Sequence, residues 1–430
     1  MEQQRALAGP FTPTDDDLSR CVRCGFCLPH CPTYVETGLE AESPRGRLYI
    51  IKALADGLIE PTPAALGHLD MCLQCRNCEA VCPSGVPYGH IMEGARAEVL
   101  RTERAPLSWK LRALFLREIV ARPTRLRAVA LGLRLYQRSG LRDLVERIPM
   151  LRDCAILAPA IHERWFRETG LIARPQGPTR MRVGLLSGCI MPLAYGRVHR
   201  ATARALAGNG CEVIVPAAQV CCGALHAHNG DRRTAVELAR RNVDAFLDAG
   251  VDAVVVNSAG CGAVMKEYGQ LLAEDPRYRD SAKRFASLVW DVNEFLAALP
   301  FQPPRSRLTI RVTYQDSCHL AHAQRIAEAP RQILKSIPSL ELVEMEHADR
   351  CCGSAGVYSL TQATMSLALL NSKMAEFQRT GAQYLATANP GCMTHLEAGL
   401  RRHRLPGRVV HVVELLDRAY RASVPRQGAE

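Results

Sequence analysis

Two stretches of this 430-residue chain carry its densest chemistry: CVRCGFCLPHCP at Cys21–Pro32 and, fifty-one positions later, CLQCRNCEAVCP at Cys72–Pro83. Each reads C-x2-C-x2-C-x3-C-P, so eight thiols stand ready to pair as disulfides, hold zinc or hold iron–sulfur clusters. Disulfides suit the chain least. Its start, MEQQRALAGPFTPTDDD, lacks the apolar h-region of a secretory leader. A chain of this length that is 47% hydrophobic builds its cores without covalent staples. Structural zinc favours pairs of C-x2-C separated by a longer loop.

Three cysteines within seven residues, and a fourth just before proline, form the bacterial ferredoxin pattern for a cubane [4Fe–4S] cluster, duplicated as in two-cluster ferredoxins. Thiolates at i, i+3 and i+6 lie on a tight loop that wraps one face of a cube, which leaves the fourth iron for a cysteine from elsewhere. In two-cluster ferredoxins that cysteine belongs to the other motif. The expected sets are therefore Cys21, Cys24, Cys27 and Cys82 for cluster 1, and Cys72, Cys75, Cys78 and Cys31 for cluster 2. Pro32 and Pro83 are expected to stop the following helix from running back through the ligand. Arg23 and Arg76 inside the loops, with Arg45 and Arg47 just after the first, either stabilise the reduced clusters or solvate the surface.

Positioning these loops takes several domains, since 430 residues suggest two to four. Eighteen cysteines without a secretion signal imply a reducing compartment and metal or redox use. No run of 18 apolar residues spans a membrane. The formal charge of +11 is unevenly spread: Arg101–Arg174 holds 16 Lys and Arg against 7 Asp and Glu, a net of +9. There Leu111, Leu114, Phe115 and Ile119, then Leu126, Val129, Leu133 and Tyr136, recur at helical spacing. Two or three basic amphipathic helices are expected. They either pack this apolar stripe on neighbouring domains or meet an acidic partner or anionic membrane. No recognition motif supports nucleic acid.

A larger repeat occupies the C-terminal half. Cys189, Cys221–Cys222–Gly223 and Cys261 recur as Cys318, Cys351–Cys352–Gly353 and Cys392, at offsets of 129, 130 and 131. In each copy a strand (183–187; 308–314) leads to the first cysteine. A helix and a short strand (213–215; 340–343) precede Cys-Cys-Gly, and a second helix precedes an apolar strand (253–256; 384–388) ending at Gly-Cys. Alternating strands and helices indicate α/β units with parallel sheets, and ligands collect beyond the strand ends of such sheets. Gly223 and Gly353 suit a positive φ or a close backbone approach. The quartets Cys189/Cys221/Cys222/Cys261 and Cys318/Cys351/Cys352/Cys392 are either a metal site per repeat or buried thiols. Cys154 and Cys211 fall outside every pattern and read as plain thiols. The histidines of HAH at 226–228 are a weak candidate for a base; as core or surface residues they are better explained.

Two ferredoxin motifs, a basic helical linker and two CCG repeats together resemble the iron–sulfur subunit of glycolate oxidase (glycolate dehydrogenase). The strings CVRCGFC, CPTY, SPRGRLYIIK, CLQCRNCEAVCPSGVPY, ASLVWDVNEF, CCGAL, CCGSAGVYSLT, SAGCGAVMKEYGQLL and ATANPGCMTHL carry the resemblance, which covers about Cys21 to Leu416. It implies an α+β multidomain fold: an α-helical ferredoxin domain with two [4Fe–4S] clusters (1–100), a basic helical linker (101–178), and tandem α/β CCG domains (179–300 and 301–430). It also implies no catalytic residues on this chain. The hydroxyacid, glycolate foremost, is oxidised on FAD-containing partner subunits, and electrons pass on toward quinone or another membrane acceptor. The expected location is cytoplasmic, peripheral on the inner face of the membrane. In heterodisulfide reductase relatives each repeat ends C-x-x-C, and five cysteines hold a non-cubane cluster. Here Val264 and His395 stand at the fifth position, so both repeats lack the fifth thiolate that such disulfide cleavage uses. Four cysteines still suit a further iron–sulfur cluster or zinc, with His395 a candidate extra ligand. Alternatives are a CCG-type subunit of a lactate or glycerol-3-phosphate dehydrogenase, or a thiol/disulfide reductase.

Overall fold

The computed structural model describes residues 7–145, 147–148, 155–161 and 163–422; Cys154 lies outside them. Proline and hydroxyl caps open the first helices. Pro32 starts α1 (Pro32–Thr37), Ser43 accepts from the Gly46 amide ahead of α2 (Pro44–Ala55), and Thr62 accepts from the Ala65 amide ahead of α3 (Pro63–Asp70). Helices α2, α3 and α4 (Tyr88–Arg101) pack Ile51, Leu54, Leu69, Ile91 and Met92 into one core, with Cys72 and Cys78 at its edge. Pro83 lies in a turn, and the next helix begins only at Tyr88, so it does not open a helix as Pro32 does.

The linker comprises α5 (Leu107–Phe115), a π-helical turn (Leu116–Val120), α6 (Pro123–Arg138) and α7 (Leu141–Val145). Its packing face differs from the expected stripe. Trp109, Ala113, Leu116 and Val120 are buried, whereas Leu111, Leu114 and Phe115 are exposed. Trp109 joins the ferredoxin core, and this sets the rotation of α5. In α6, Leu126 and Ala130 are buried, Leu133 packs against the same core, and Val129 is exposed. Arg112 pairs with Asp70 of α3, and Arg117 with Asp231 of the first α/β unit, so the linker ties the two ends together.

The first α/β unit contains β1 (Gly170–Ala173), β2 (Met181–Leu185), α8 (Gly196–Gly208), β3 (Cys211–Val215), α9 (Arg232–Asp248), β4 (Ala253–Val256), α10 (Ala259–Lys266), β5 (Val289–Asp291) and α11 (Val292–Ala298). The second contains β6 (Ile310–Tyr314), α12 (Glu328–Lys335), β7 (Leu340–Leu342), α13 (Ala363–Thr380), β8 (Tyr384–Thr387), α14 (Pro390–His403), β9 (Arg408–His411) and α15 (Val412–Ala422). The sheets run β1-β3-β2-β4-β5 and β7-β6-β8-β9. Without β1, which pairs antiparallel to β3, the orders are the same and every pairing is parallel. Helices cover both faces, so Val254, Val255 and Val256 are all buried.

The two units pack reciprocally. Helix α8 lies on α15, and its counterpart α12 lies on α11, the counterpart of α15. That exchange is the mark of a twofold relation. Arg204 grips Asp417 through two bonds of 2.7 Å, and one core holds Val183 and Val213 together with Val312 and Leu385. No helix among the described residues is long and apolar enough to cross a membrane.

Candidate metal centres

The ferredoxin loops follow one backbone path. Arg23 (φ 57°) and Gly25 (φ 86°) flank Cys24, and Gln74 (φ 53°) and Arg76 (φ 60°) flank Cys75, all in the left-handed region. Non-glycine residues rarely hold that conformation. Alternation of this kind turns successive amides inward as a concave, anion-binding nest, the backbone an iron–sulfur cluster needs. The Gln74 amide already points at the Cys72 sulfur, 3.4 Å away.

Burial divides the eight cysteines. Cys31, Cys72, Cys75 and Cys78 are buried, Cys24 is exposed, and Cys21, Cys27 and Cys82 lie between. The buried four are one motif's triplet plus the last cysteine of the other. Burial and then Cys351 push the Cys75 thiol upward; burial and then Cys75, Cys72 and Cys31 do so for Cys78. Thiols crowded this way in an apolar wall ionise only with a cation among them, so the donor set fits a metal cluster.

Arg47 stands beside this group with its side chain 1% exposed. It donates to the His68 carbonyl (2.7 Å), the Glu42 carbonyl (2.7 Å) and Thr33 Oγ1 (3.1 Å), pairs with the Glu42 carboxylate, and reaches Cys31 Sγ at 3.9 Å. Burial works against its charge, yet Cys72, Tyr88, Cys31 and Glu42 outweigh burial and raise its pKa. The other arginines do less. Arg76 is neutralised by Glu79 and Glu267, Arg45 braces the first loop through the Arg23 carbonyl and Glu40, and Arg23 lies over Tyr49. Tyr88, whose hydroxyl is 3.7 Å from Cys72 Sγ, has no sequence signal beyond its place in the string CPSGVPY. Arg96, bound to the carbonyls of Leu69, Cys72 and His228, has none at all.

The CCG quartets come together as the repeat suggests. Cys221 lies 3.4 Å from Cys189, and Cys222 bridges Cys221 and Cys261. Cys351 meets Cys318, and Cys352 meets Cys351 and Cys392. Both quartets line one cavity of about 470 Å³, together with Cys72 and Gln74 of the second ferredoxin loop. His319, next to Cys318, hydrogen-bonds the Gln74 carbonyl at 2.9 Å, and Cys75 packs with Cys351 and Cys318. The second quartet therefore abuts the buried ferredoxin loop directly. One zinc ion would hold its thiolates about 3.8 Å apart, whereas a cubane binds each thiolate through a different iron and spreads its ligands more widely.

Gly223 (φ 82°) and Gly353 (φ 92°) are left-handed, as the motif requires. A Cβ on Gly353 would sit 2.6 Å from the Ser366 carbonyl oxygen and 3.1 Å from Leu369 Cβ. Gly353→Ala is expected to destabilise the chain by about 2 kcal/mol or more, read as a lowered melting midpoint. The histidines have partners within the protein. His395 is buried with Nε2 against the Ser366 hydroxyl (3.3 Å), and burial lowers its pKa to about 4. His226 meets Asp231 at 3.2 Å, and His228 meets Glu93 at 2.6 Å across the domain boundary. Val264 lies in an apolar core, and Cys211 is a buried thiol of β3.

Family models match the chain in the same order: a 4Fe-4S dicluster domain at 17–86, the glycolate oxidase iron-sulfur subunit linker region at 110–159, and a cysteine-rich domain twice, at 183–266 and 312–397. A probable glycolate oxidase iron-sulfur subunit of Bacillus subtilis is 41% identical over 94% of both chains. The chain belongs to the glycolate oxidase iron–sulfur subunit family. The Escherichia coli glycolate oxidase iron-sulfur subunit is 34% identical over 94% of this chain and 95% of its own length. A fumarate reductase (CoM/CoB) subunit of Methanothermobacter marburgensis is 30% identical over 94% of this chain and 72% of its own. A Helicobacter pylori hypothetical protein of known structure shares the fold at 10% identity, with a TM-score of 0.57 over 95% of this chain and 73% of its own. The family places the chain as an iron–sulfur electron-transfer subunit of an oxidoreductase.

Proposed function

We propose that this chain passes electrons from the FAD-bearing subunits of a glycolate (2-hydroxyacid) dehydrogenase toward quinone, working at the inner face of the cytoplasmic membrane. The observation that carries the reading is the burial of Cys31 with Cys72, Cys75 and Cys78, which supports crossed ligation. Cys21, Cys24, Cys27 and Cys82 would hold one cubane and the buried four the other. Bound there, two [4Fe–4S] clusters supply one-electron carriers between a two-electron flavin donor and the acceptor.

The residues around the loops do the rest. Val22, Phe26 and Tyr49 are exposed beside Cys24 and offer the flavin partner an apolar landing. Arg47 places a buried positive charge at Cys31, which favours added negative charge. Leu73, Tyr358, Met365 and Leu369 exclude water where Cys75 faces Cys351. The CCG quartets would hold a further iron–sulfur cluster or zinc.

The test is reconstitution with the flavin subunits. Cys24→Ser is expected to leave flavin reduction by glycolate intact while quinone reduction falls to background. Quinone reduction at the wild-type rate would overturn the relay. The cavity shared by both quartets favours one second reading, a thiol/disulfide reductase; disulfide turnover by the pure chain without any flavoprotein would support it instead.

A further inference from the structure

We infer that the linker helices are a docking face for an anionic lipid bilayer. The inference rests on the membrane-side location proposed above and names the surface responsible. Leu107, Leu111 and Leu114 follow i, i+4, i+7 spacing on α5 and are 70%, 56% and 52% exposed. Leu131 and Leu135, at i and i+4 on α6, are 50% and 60% exposed, and Leu141 and Leu144 of α7 are exposed as well. Single exposed leucines are ordinary, but a run of them along consecutive helices is not. The opposite side of α5 is already committed through Trp109 and Ala113, so rotating the helix cannot hide its stripe.

Charge selects the occupant. Arg101–Arg138 carries ten Lys and Arg against two acids, Glu103 and Glu118. Glu118 is shared by Arg122 and Arg125, while neither Arg127 nor Arg138 forms an ion pair among the described residues. Exposed leucines interleaved with arginines on amphipathic helices match the interface of a bilayer rich in anionic headgroups, where leucines enter the acyl boundary and arginines stay at the phosphates. A second observation agrees on α5: Phe115, exposed one residue beyond Leu114, also lines the cavity shared by the cysteine quartets, so this stripe runs up to that cavity's edge.

The test is co-sedimentation of the full iron-loaded chain with vesicles of equimolar phosphatidylglycerol and phosphatidylcholine, against pure phosphatidylcholine. Binding to the anionic vesicles alone is expected, falling at about 0.5 M salt as screening shortens. Leu111→Glu/Leu114→Glu/Leu135→Glu is expected to weaken it roughly tenfold or more, and Arg127→Ser/Arg138→Ser to weaken it selectively at low salt, both with unchanged iron content. Failure to bind anionic vesicles, or wild-type binding by the leucine variant, overturns the inference. Light scattering that shows a dimer made monomeric by the leucine variant, without vesicle binding, would assign the face to a second copy. Failure of the wild-type chain to bind anionic vesicles with flavin-driven reduction intact refutes the docking face alone; wild-type vesicle binding without flavin-driven reduction refutes the electron relay.

Discussion

Cys75→Ser is expected to lower the iron content of the anaerobically purified chain by about four atoms and its acid-labile sulfide equally, out of about eight each if only the two cubanes are filled. It should also loosen the whole molecule. Cys75 packs in the same buried group as Cys351 and Tyr358, where the ferredoxin loop meets the second CCG unit. A serine hydroxyl unsatisfied there costs about 1–3 kcal/mol, on top of the lost metal. Cys24→Ser should lose similar iron yet leave protease resistance at that junction unchanged, because Cys24 is exposed. Crossed ligation adds a sharper expectation: Cys31→Ser should reproduce the electron paramagnetic resonance change of Cys75→Ser, not that of Cys24→Ser. A match to Cys24→Ser would refute the crossing. The same assay extended to Cys222→Ser and Cys352→Ser separates the CCG possibilities. Iron above about eight that falls in these variants places clusters there, whereas zinc that falls with iron constant places zinc.

Arg47→Leu should be the most destabilising change of a residue that binds no metal. The leucine removes the cation that offsets the Glu42 carboxylate, itself 7% exposed, and strands the bonds to Thr33 and to the carbonyls of His68 and Glu42. Breaking one side of a buried ion pair costs about 3–5 kcal/mol, because the other charge stays behind. The expected readout is a lowered melting midpoint with faster loss of iron to a chelator. Arg47→Leu/Glu42→Gln should recover part of the loss, since the stranded charge is then gone. No recovery would mean that Arg47 acts mainly through Cys31 rather than Glu42.

Much of this architecture is local in origin and therefore legible in the chain. The spacing of Cys21, Cys24 and Cys27, and of Cys72, Cys75 and Cys78, puts three thiols within seven residues, the pattern of a loop that curls around one object. The nearly equal offsets of the CCG landmarks announce two copies of one sheet, and β4 falls on the residues its apolar run indicates. The strands at Val289–Asp291 and Arg408–His411 escape sequence reading; each carries only two apolar residues, where Ala253–Val256 is apolar throughout. Which face of α5 is buried was decided by Trp109 and Ala113, a choice between two apolar stripes that the neighbouring domain resolves. Which ferredoxin loop is deep and which is open, and which CCG quartet lies against the deep one, belongs to the tertiary structure. Both loops share one motif and both quartets another, so local chemistry is the same on each side. Long-range contacts such as those from Gln74 to His319, from Arg76 to Glu267 and from Cys75 to Cys351 make them unequal.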